Sequence, residues 1–306
     1  MPRLAHFVSL QGPAGVERHF AEFALQAASR YPAWAQSWLN PDKGIDSTIA
    51  ATLGSTLERA TLAKYRWGIK LPAKPGAIRA WNCRGALVDV DVLLIWNRTA
   101  RSEFVIDAIG EDRCVHWEHG SVWHSGREGE RERYLKRIRL AITNSMASAR
   151  VLELMWGFVG ETRVCVNALR PSLMPPEPIS KPFPAARAVR LGVAARLVPV
   201  KGVAVVLHSA AKLRAIGMNV EVHVAGTGAE RERLVALASR LKIDESVRFH
   251  GLIDDMAAFY RDIDCLLHVP LTEAFGLVTI EAAAQGCPAI VAAVDGLPEA
   301  VEHGVS

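Results

Sequence analysis

The sequence predicts an α/β protein of two Rossmann-like domains, and three observations carry that expectation. At 306 residues, half of them hydrophobic, the chain exceeds one ordinary domain and can bury two sizeable cores. Strand-like and helix-like segments alternate along its length, the pattern of a parallel sheet. A proline-rich run from Arg170 to Pro184 interrupts the alternation, and all eight tryptophans lie at or before Trp156, so composition breaks near the same place. The expected domains are residues 1–180 and 186–306, joined by a stiff connection and facing each other across a cleft at the carboxyl ends of their strands.

The elements follow in order. Leu4 to Leu10 reads as a strand, Gln11 to Arg18 as a glycine turn, and an apolar-periodic helix runs to about Ser29. Val88 to Trp96 and Arg113 to Trp117 read as strands, and Glu128 to Leu140 as a helix whose mixed Glu and Arg suit internal ion pairs. Ala141 to Ser145 and Thr162 to Asn167 complete the first alternation. The second half restarts it: strand Ala188 to Ala194, helix Lys201 to Ile216, strand Val220 to Ala225, helix Ala229 to Leu241, strand Val247 to His250, short helix Asp255 to Tyr260. The strand Asp264 to Pro270 leads through a Phe-Gly turn into an Ala-rich helix stopped at Gly286, then come a strand from Ala289 to Ala293 and a helix start at Leu297.

Composition excludes several classes. The five cysteines are scattered and odd in number, without CxxC spacing, which fits reduced thiols and neither a zinc site nor a disulfide frame. No stretch has the apolar length of a membrane span, and the N-terminus reads as a strand start rather than a signal peptide, so a cytoplasmic location is expected. A net charge of +4 is too modest to indicate nucleic acid. Between Leu57 and Trp81, however, Arg59, Lys64, Arg66, Lys70, Lys74 and Arg79 oppose a single Glu58, with Tyr65, Trp67 and Trp81 among them. This suits peripheral contact with an anionic membrane, and equally an ordinary solvated helix face.

Chemistry concentrates in Glu273-Ala-Phe-Gly-Leu-Val-Thr-Ile-Glu281, where two carboxylates bracket a strand-to-helix turn. Eight helical residues span roughly 12 Å, so these groups suit two ends of one extended ligand rather than a shared proton. The amides of Phe275, Gly276 and Leu277, backed by the helix dipole, suit a phosphate between them.

With these stretches goes a set of others in a fixed order. They are Ala195-Arg196-Leu197 to Lys201-Gly202, Ala225-Gly226-Thr-Gly228, Val247-Arg-Phe-His-Gly251, the two-glutamate motif, and Gly286-Cys-Pro288 through Gly296-Leu-Pro-Glu299. Residues 188–306 thereby resemble the GT-B glycosyltransferases of the large retaining group called family 4. The first half resembles them more loosely, through Gly15-Val-Glu17-Arg18, Asn144-Ser145 and a histidine, His119, at a strand end.

The resemblance implies a nucleotide sugar, UDP- or GDP-linked, in the second domain, and a glycan or glycolipid acceptor in the first, with no metal and no further cofactor. It implies that Arg196 and Lys201 stabilise the departing diphosphate, that Glu273 reaches the transferred sugar, and that Glu281 takes the ribose hydroxyls. Gly15, Gly226, Gly251 and the Phe275–Leu277 amides would line the donor site, with His119 facing the sugar. His119 lies near His116 and His124 among tryptophans, so it is either a site group or a polar member of a packed loop. Trp117 and Trp123 suit stacking on an acceptor sugar or core packing. Asp89-Val-Asp91 and Asp262-Ile-Asp264 spell the Asp-x-Asp of metal-dependent enzymes, but both precede a strand and read as strand-entry residues.

Departures from the family pattern are Ala195, Ala14 and Asp295, each where a glycine is usual, and a chain that stops at Ser306, so that the second domain is expected to lack its usual last elements. An active transferase of a hexose or N-acetylhexosamine, acting in lipopolysaccharide or other envelope polysaccharide synthesis, is the favoured expectation. A weakened relative that binds nucleotide or glycan as a partner or scaffold is the rival. A dinucleotide oxidoreductase is disfavoured because no G-x-G-x-x-G follows Leu10.

Overall fold

A computed structural model describes residues 1–10, 15–39, 45–59, 87–96, 102–119, 128–182, 184 and 187–304, which fall into two compact units, Met1–Cys165 and Val166–Ser306. The basic and aromatic segment from residue 60 to 81 lies outside the described residues.

The first unit runs β1 (Arg3–Phe7), α1 (Gly15–Arg30), β2 (Ala35–Leu39), α2 (Ser47–Arg59), β3 (Val92–Ile95), α3 (Ser102–Ile109), β4 (Cys114–Glu118), α4 (Glu128–Leu135), β5 (Leu140–Thr143), α5 (Met146–Leu154) and β6 (Glu161–Val164). Its strands form one parallel sheet in the order β2-β1-β3-β4-β5-β6. Alternate side chains of each strand point to opposite faces, and helices cover both. Ala5, Phe7, Leu93 and Ile95 pack against Val105, Ile106 and Ile109 of α3 and Leu152 of α5. Leu4, Leu94, Trp96 and Trp117 pack against Phe20, Ala21 and Ala24 of α1 and Ile49 and Leu53 of α2. A sheet buried on both faces is what the continuous apolar runs imply.

The second unit repeats the plan with β7 (Val189–Ala194), α6 (Val203–Ala215), β8 (Val220–Ala225), α7 (Arg231–Arg240), β9 (Val247–Gly251), α8 (Met256–Asp262), β10 (Cys265–His268), α9 (Leu277–Ala284) and β11 (Ala289–Val291). The parallel order is β11-β10-β7-β8-β9. Leu191, Val193, Val222 and Val224 face α6 and α7, while Ala194, Ala225 and Leu266 face α8 and α9. The proline-rich run lies against this unit: Gln285 Nε2 donates to Leu173 O at 2.7 Å, and Lys181 Nζ to Arg261 O at 2.6 Å.

Several elements differ from the sequence expectation. β2, α2 and α3 were not legible: Ala35-Gln-Ser-Trp-Leu39 is half polar, and α2 and α3 were missed even though Asp46 caps α2, accepting from Thr48 N and Ile49 N at 2.9 and 3.3 Å, and Gly110 closes α3. α6 begins at Val203 rather than Lys201, since Pro199–Lys201 forms a 3-10 turn closed by Gly202 at φ +67°. A Cβ at Gly202 would lie 2.0 Å from Val269 O, so only glycine fits there. The helix expected to reach Leu140 stops at Leu135, and the ion pairs of this stretch run to other elements. Arg131 pairs with Glu118 at 2.5 Å, Arg137 with Asp107 and Glu111 at 2.7 and 2.8 Å, and Arg139 with Asp112 at 2.9 Å. At Leu297 the chain makes a single 3-10 turn, Leu297–Glu299, instead of a longer helix.

Candidate functional site

At the carboxyl end of the second sheet, the loops leaving β7, β8 and β9 are joined by backbone. Ala195 N donates to Ala225 O at 3.0 Å, Leu197 N to Thr227 O at 2.8 Å, and Gly226 N to Gly251 O at 2.7 Å. Gly226 has φ +131°, and a Cβ on it would sit 1.9 Å from Ala195 O, so the glycine lets the two loops touch. Arg196 leaves this frame exposed, with no acidic partner among the described residues. Gly251 has φ +74° and open space where a side chain would stand.

Lys201 and Glu273, 72 residues apart, meet because Leu271 N bonds Val200 O at 2.8 Å and Gly202 packs on Val269. Lys201 Nζ donates to Glu273 Oε2 at 2.6 Å, and His268 Nε2 shares a hydrogen bond with the same oxygen at 3.1 Å. Burial alone would raise the Glu273 carboxyl, but the His268 hydrogen bond and the Lys201 charge outweigh it and hold the group at about 2. It is therefore an ionised acceptor at neutral pH. Oε1 takes no hydrogen bond from any described residue and is not sealed from solvent. Asp295 adopts φ +43° and accepts hydrogen bonds from Thr272 Oγ1 and, at 3.0 Å, from Glu273 N. Its carboxylate thus fastens the backbone of the Glu273 turn.

Three residues on, Gly276 at φ +89° turns the chain into α9. The amides of Phe275, Gly276 and Leu277 lie at that helix start, where first-turn N–H groups lack intrahelical acceptors. A Cβ on Gly276 would strike Leu297 Cδ2 at 2.3 Å. Glu281, on α9, is held at both oxygens: Tyr260 Oη donates to Oε2 at 2.9 Å and Arg170 Nη2 to Oε1 at 3.3 Å. Burial, then the adjacent Glu281 carboxylate, pushes the Tyr260 phenol far above its usual range.

Gly15 and His119 belong to the first unit. Gly15 is the first residue of α1, with open space around it. His119 follows β4 and stacks on Trp96 at 5.2 Å and Trp117 at 5.3 Å, with His19 edge-on at 5.2 Å. Burial, then the neighbouring His19, lowers the His119 imidazole to about 3, so it is neutral, and its Nε2 is buried without a hydrogen-bond partner among the described residues. Trp117 is a core residue, 4% exposed and stacked on Trp96 at 4.4 Å, so of the two readings of this tryptophan core packing holds; Trp123 and His124 lie outside the described residues. His116 is structural too, bonded to Glu118 at 3.2 Å and Tyr134 at 3.0 Å.

Both Asp-x-Asp pairs do strand-entry work. Arg3 is bound by Asp89 and, through its backbone N–H, by Asp91, whereas Asp264 receives both Arg187 guanidinium nitrogens at 2.6 and 2.7 Å. Among the described residues no group of three or more His, Cys, Asp or Glu is placed to hold a metal ion, and no helix is long and apolar enough to cross a membrane. Sequence reasoning missed His268, Tyr260 and Arg170. The one signal was His268 itself, a polar residue in the otherwise apolar Cys265-Leu-Leu-His-Val-Pro270.

Comparison with known proteins agrees with this geometry. Residues 183–306 match the family Glycosyl transferases group 1. D-inositol 3-phosphate glycosyltransferase of Mycobacterium sp. (strain KMS) is 40% identical over 114 residues, 36% of this chain and 26% of the relative, so the chain aligns with about a quarter of that protein's length. Among solved structures, Anabaena HepE in complex with UDP and glucose superposes with a TM-score of 0.75 at 19% identity, covering 100% of this chain and 84% of HepE. The apo form of the lipopolysaccharide outer core galactosyltransferase WaaB gives 0.75 at 17%, covering 98% and 82%. The chain therefore has the GT-B fold, and its residues 183–306 match the glycosyl transferases group 1.

Proposed function

We propose that this chain is a metal-independent, retaining glycosyltransferase that moves a hexose or N-acetylhexosamine from a UDP- or GDP-linked donor to a glycan or glycolipid acceptor. The second unit holds the donor and the first the acceptor. The observation that carries the reading is the Lys201–Glu273 pair with one Glu273 oxygen left open, at a sheet end that also carries the start of α9 and Arg196, which has no acidic partner among the described residues.

When the sugar–phosphate bond breaks, negative charge collects on the diphosphate. Arg196 and Lys201 supply the compensating charge, and the α9 amides add oriented dipoles. The bond from the anomeric carbon to phosphate oxygen is replaced by one to the acceptor oxygen on the same face, and the acceptor proton goes to the departing phosphate. Glu273 Oε1 accepts a hydroxyl of the transferred sugar. Glu281 takes the ribose with the lone pairs that Tyr260 and Arg170 leave over. Gly226 and Gly251 shape the base end. In the first unit, His119 and Gly15 are assigned to sugar binding on the resemblance to the family. The UDP and glucose bound to HepE and the galactosyltransferase activity of WaaB support a UDP-hexose donor and an envelope glycan acceptor.

The test is a thermal-shift screen with UDP, GDP and ADP and their sugars, followed by transfer assays on Lys201→Ala and Glu273→Gln. Stabilisation by one nucleotide family and loss of transfer in both folded variants are expected. No nucleotide-dependent shift, or ordinary transfer by either variant, would overturn the proposal.

A further inference from the structure

We infer that His268 is the positioning residue that keeps Glu273 aimed at the donor sugar while Lys201 turns to the diphosphate, an assignment that rests on the nucleotide-sugar reading above. Lys201 and His268 converge on one oxygen of Glu273, at 2.6 and 3.1 Å, which leaves the other oxygen outward. The two anchors differ in kind. Lys201 is a point charge on a flexible four-carbon stem, and a diphosphate carries more negative charge than one carboxylate, so donor binding draws the ammonium away.

A carboxylate that lost its only partner in this pocket would be left buried and uncompensated. His268 prevents that. Its side chain is buried and its ring stands on the rigid end of β10, where its backbone oxygen accepts from Ala292 N at 3.1 Å and its strand pairs with Val291 of β11. The imidazole cannot follow Lys201, so Oε2 keeps one donor and Oε1 keeps its direction. A polar side chain amid the buried leucines of β10 costs desolvation unless such a bond repays it.

The assignment separates sugar recognition from nucleotide recognition. Calorimetric affinities for UDP and UDP-glucose, and for GDP and GDP-mannose, are compared between wild type, His268→Gln, which returns an N–H near Nε2, and His268→Asn, whose amide is too short to reach Oε2. In His268→Asn the ratio of nucleotide-sugar to free-nucleotide affinity should fall roughly tenfold, the scale of one hydrogen bond to a charged group, with kcat/KM for transfer falling alongside and nucleotide affinity within about twofold of wild type. His268→Gln should recover most of the ratio. Equal weakening of nucleotide and nucleotide sugar, an unchanged ratio in a folded His268→Asn, or failure of glutamine to rescue would each overturn the assignment. A wild type that binds none of the four ligands would instead overturn the nucleotide-sugar reading itself.

Discussion

Replacing Glu273 by glutamine removes a charge that the fold holds in place, and the consequence for stability depends on pH in a calculable way. Burial raises the carboxyl, but His268 and Lys201 outweigh it and hold the group at about 2 against an ordinary 4.5. A folded-state value below the unfolded one contributes stability that is present above pH 4.5 and is lost as pH falls toward 2. At about 1.4 kcal/mol per pH unit the gap corresponds to roughly 3 kcal/mol at neutral pH, and the same linkage leaves roughly 2 kcal/mol at a pH of about 3.5. The side chain is only 18% exposed, so solvent screening removes little of this. Glutamine does not titrate, so the stability difference between wild type and Glu273→Gln should shrink by roughly 1 kcal/mol between neutral pH and about pH 3.5. Urea unfolding followed by far-UV circular dichroism measures both units. Tryptophan fluorescence follows the first alone, because all eight tryptophans lie at or before Trp156. The fluorescence transition therefore serves as an internal control. A difference that stays flat with pH would refute the reasoning.

Two further substitutions test the frame around the site. Asp295→Ala loses the hydrogen bonds to Thr272 and Glu273 and leaves a methyl group at φ +43°, so it should cost roughly 2–4 kcal/mol, whereas Asp295→Gly keeps the turn and should cost about half; equal losses in urea unfolding would deny the strain component. Gly226→Ala drives a methyl carbon into Ala195 O and forces φ +131° on a residue that resists it, with an expected loss of roughly 2–5 kcal/mol. A Tm within a degree of wild type would show that the loops leaving β7 and β8 do not need that contact.

The second unit was more legible than the first, for physical reasons. β7 and β10 are mainly apolar, β8 carries valine at every second position, and Gly226 after β8 and Pro270 after β10 mark where two of these strands end. The junction of Lys201 with Glu273 was within reach because motif order placed both at strand ends of one sheet. His268 was not, since nothing in a sequence tells a histidine bonded to a distant carboxylate from one packed in a core. Arg170 was further out of reach: it meets Glu281 across 111 residues of chain. In the first unit β2 escaped notice because polar Gln36 and Ser37 interrupt it, and Gln36 turns out to bond His6 at 3.2 Å and Ala24 O at 3.2 Å. Trp117 was ambiguous between sugar platform and core because an indole serves either; only its neighbours, Trp96 and Phe23, decide for the core.

The docking of the proline-rich run bears on how the chain can be cut. Family similarity begins at residue 183, and a fragment started there would look complete by alignment. It would nevertheless lose Arg170 from Glu281, the Leu173 carbonyl from Gln285, and Lys181 from the backbone beyond α8 and from Asp264 at 3.5 Å. Asp264 is 1% exposed, and with Lys181 gone its compensation would fall to Arg187 and the Arg190 amide. The working boundary of the unit therefore lies upstream of its sequence signature, near Val166, and the prolines are a clasp carried by the unit they appear to precede.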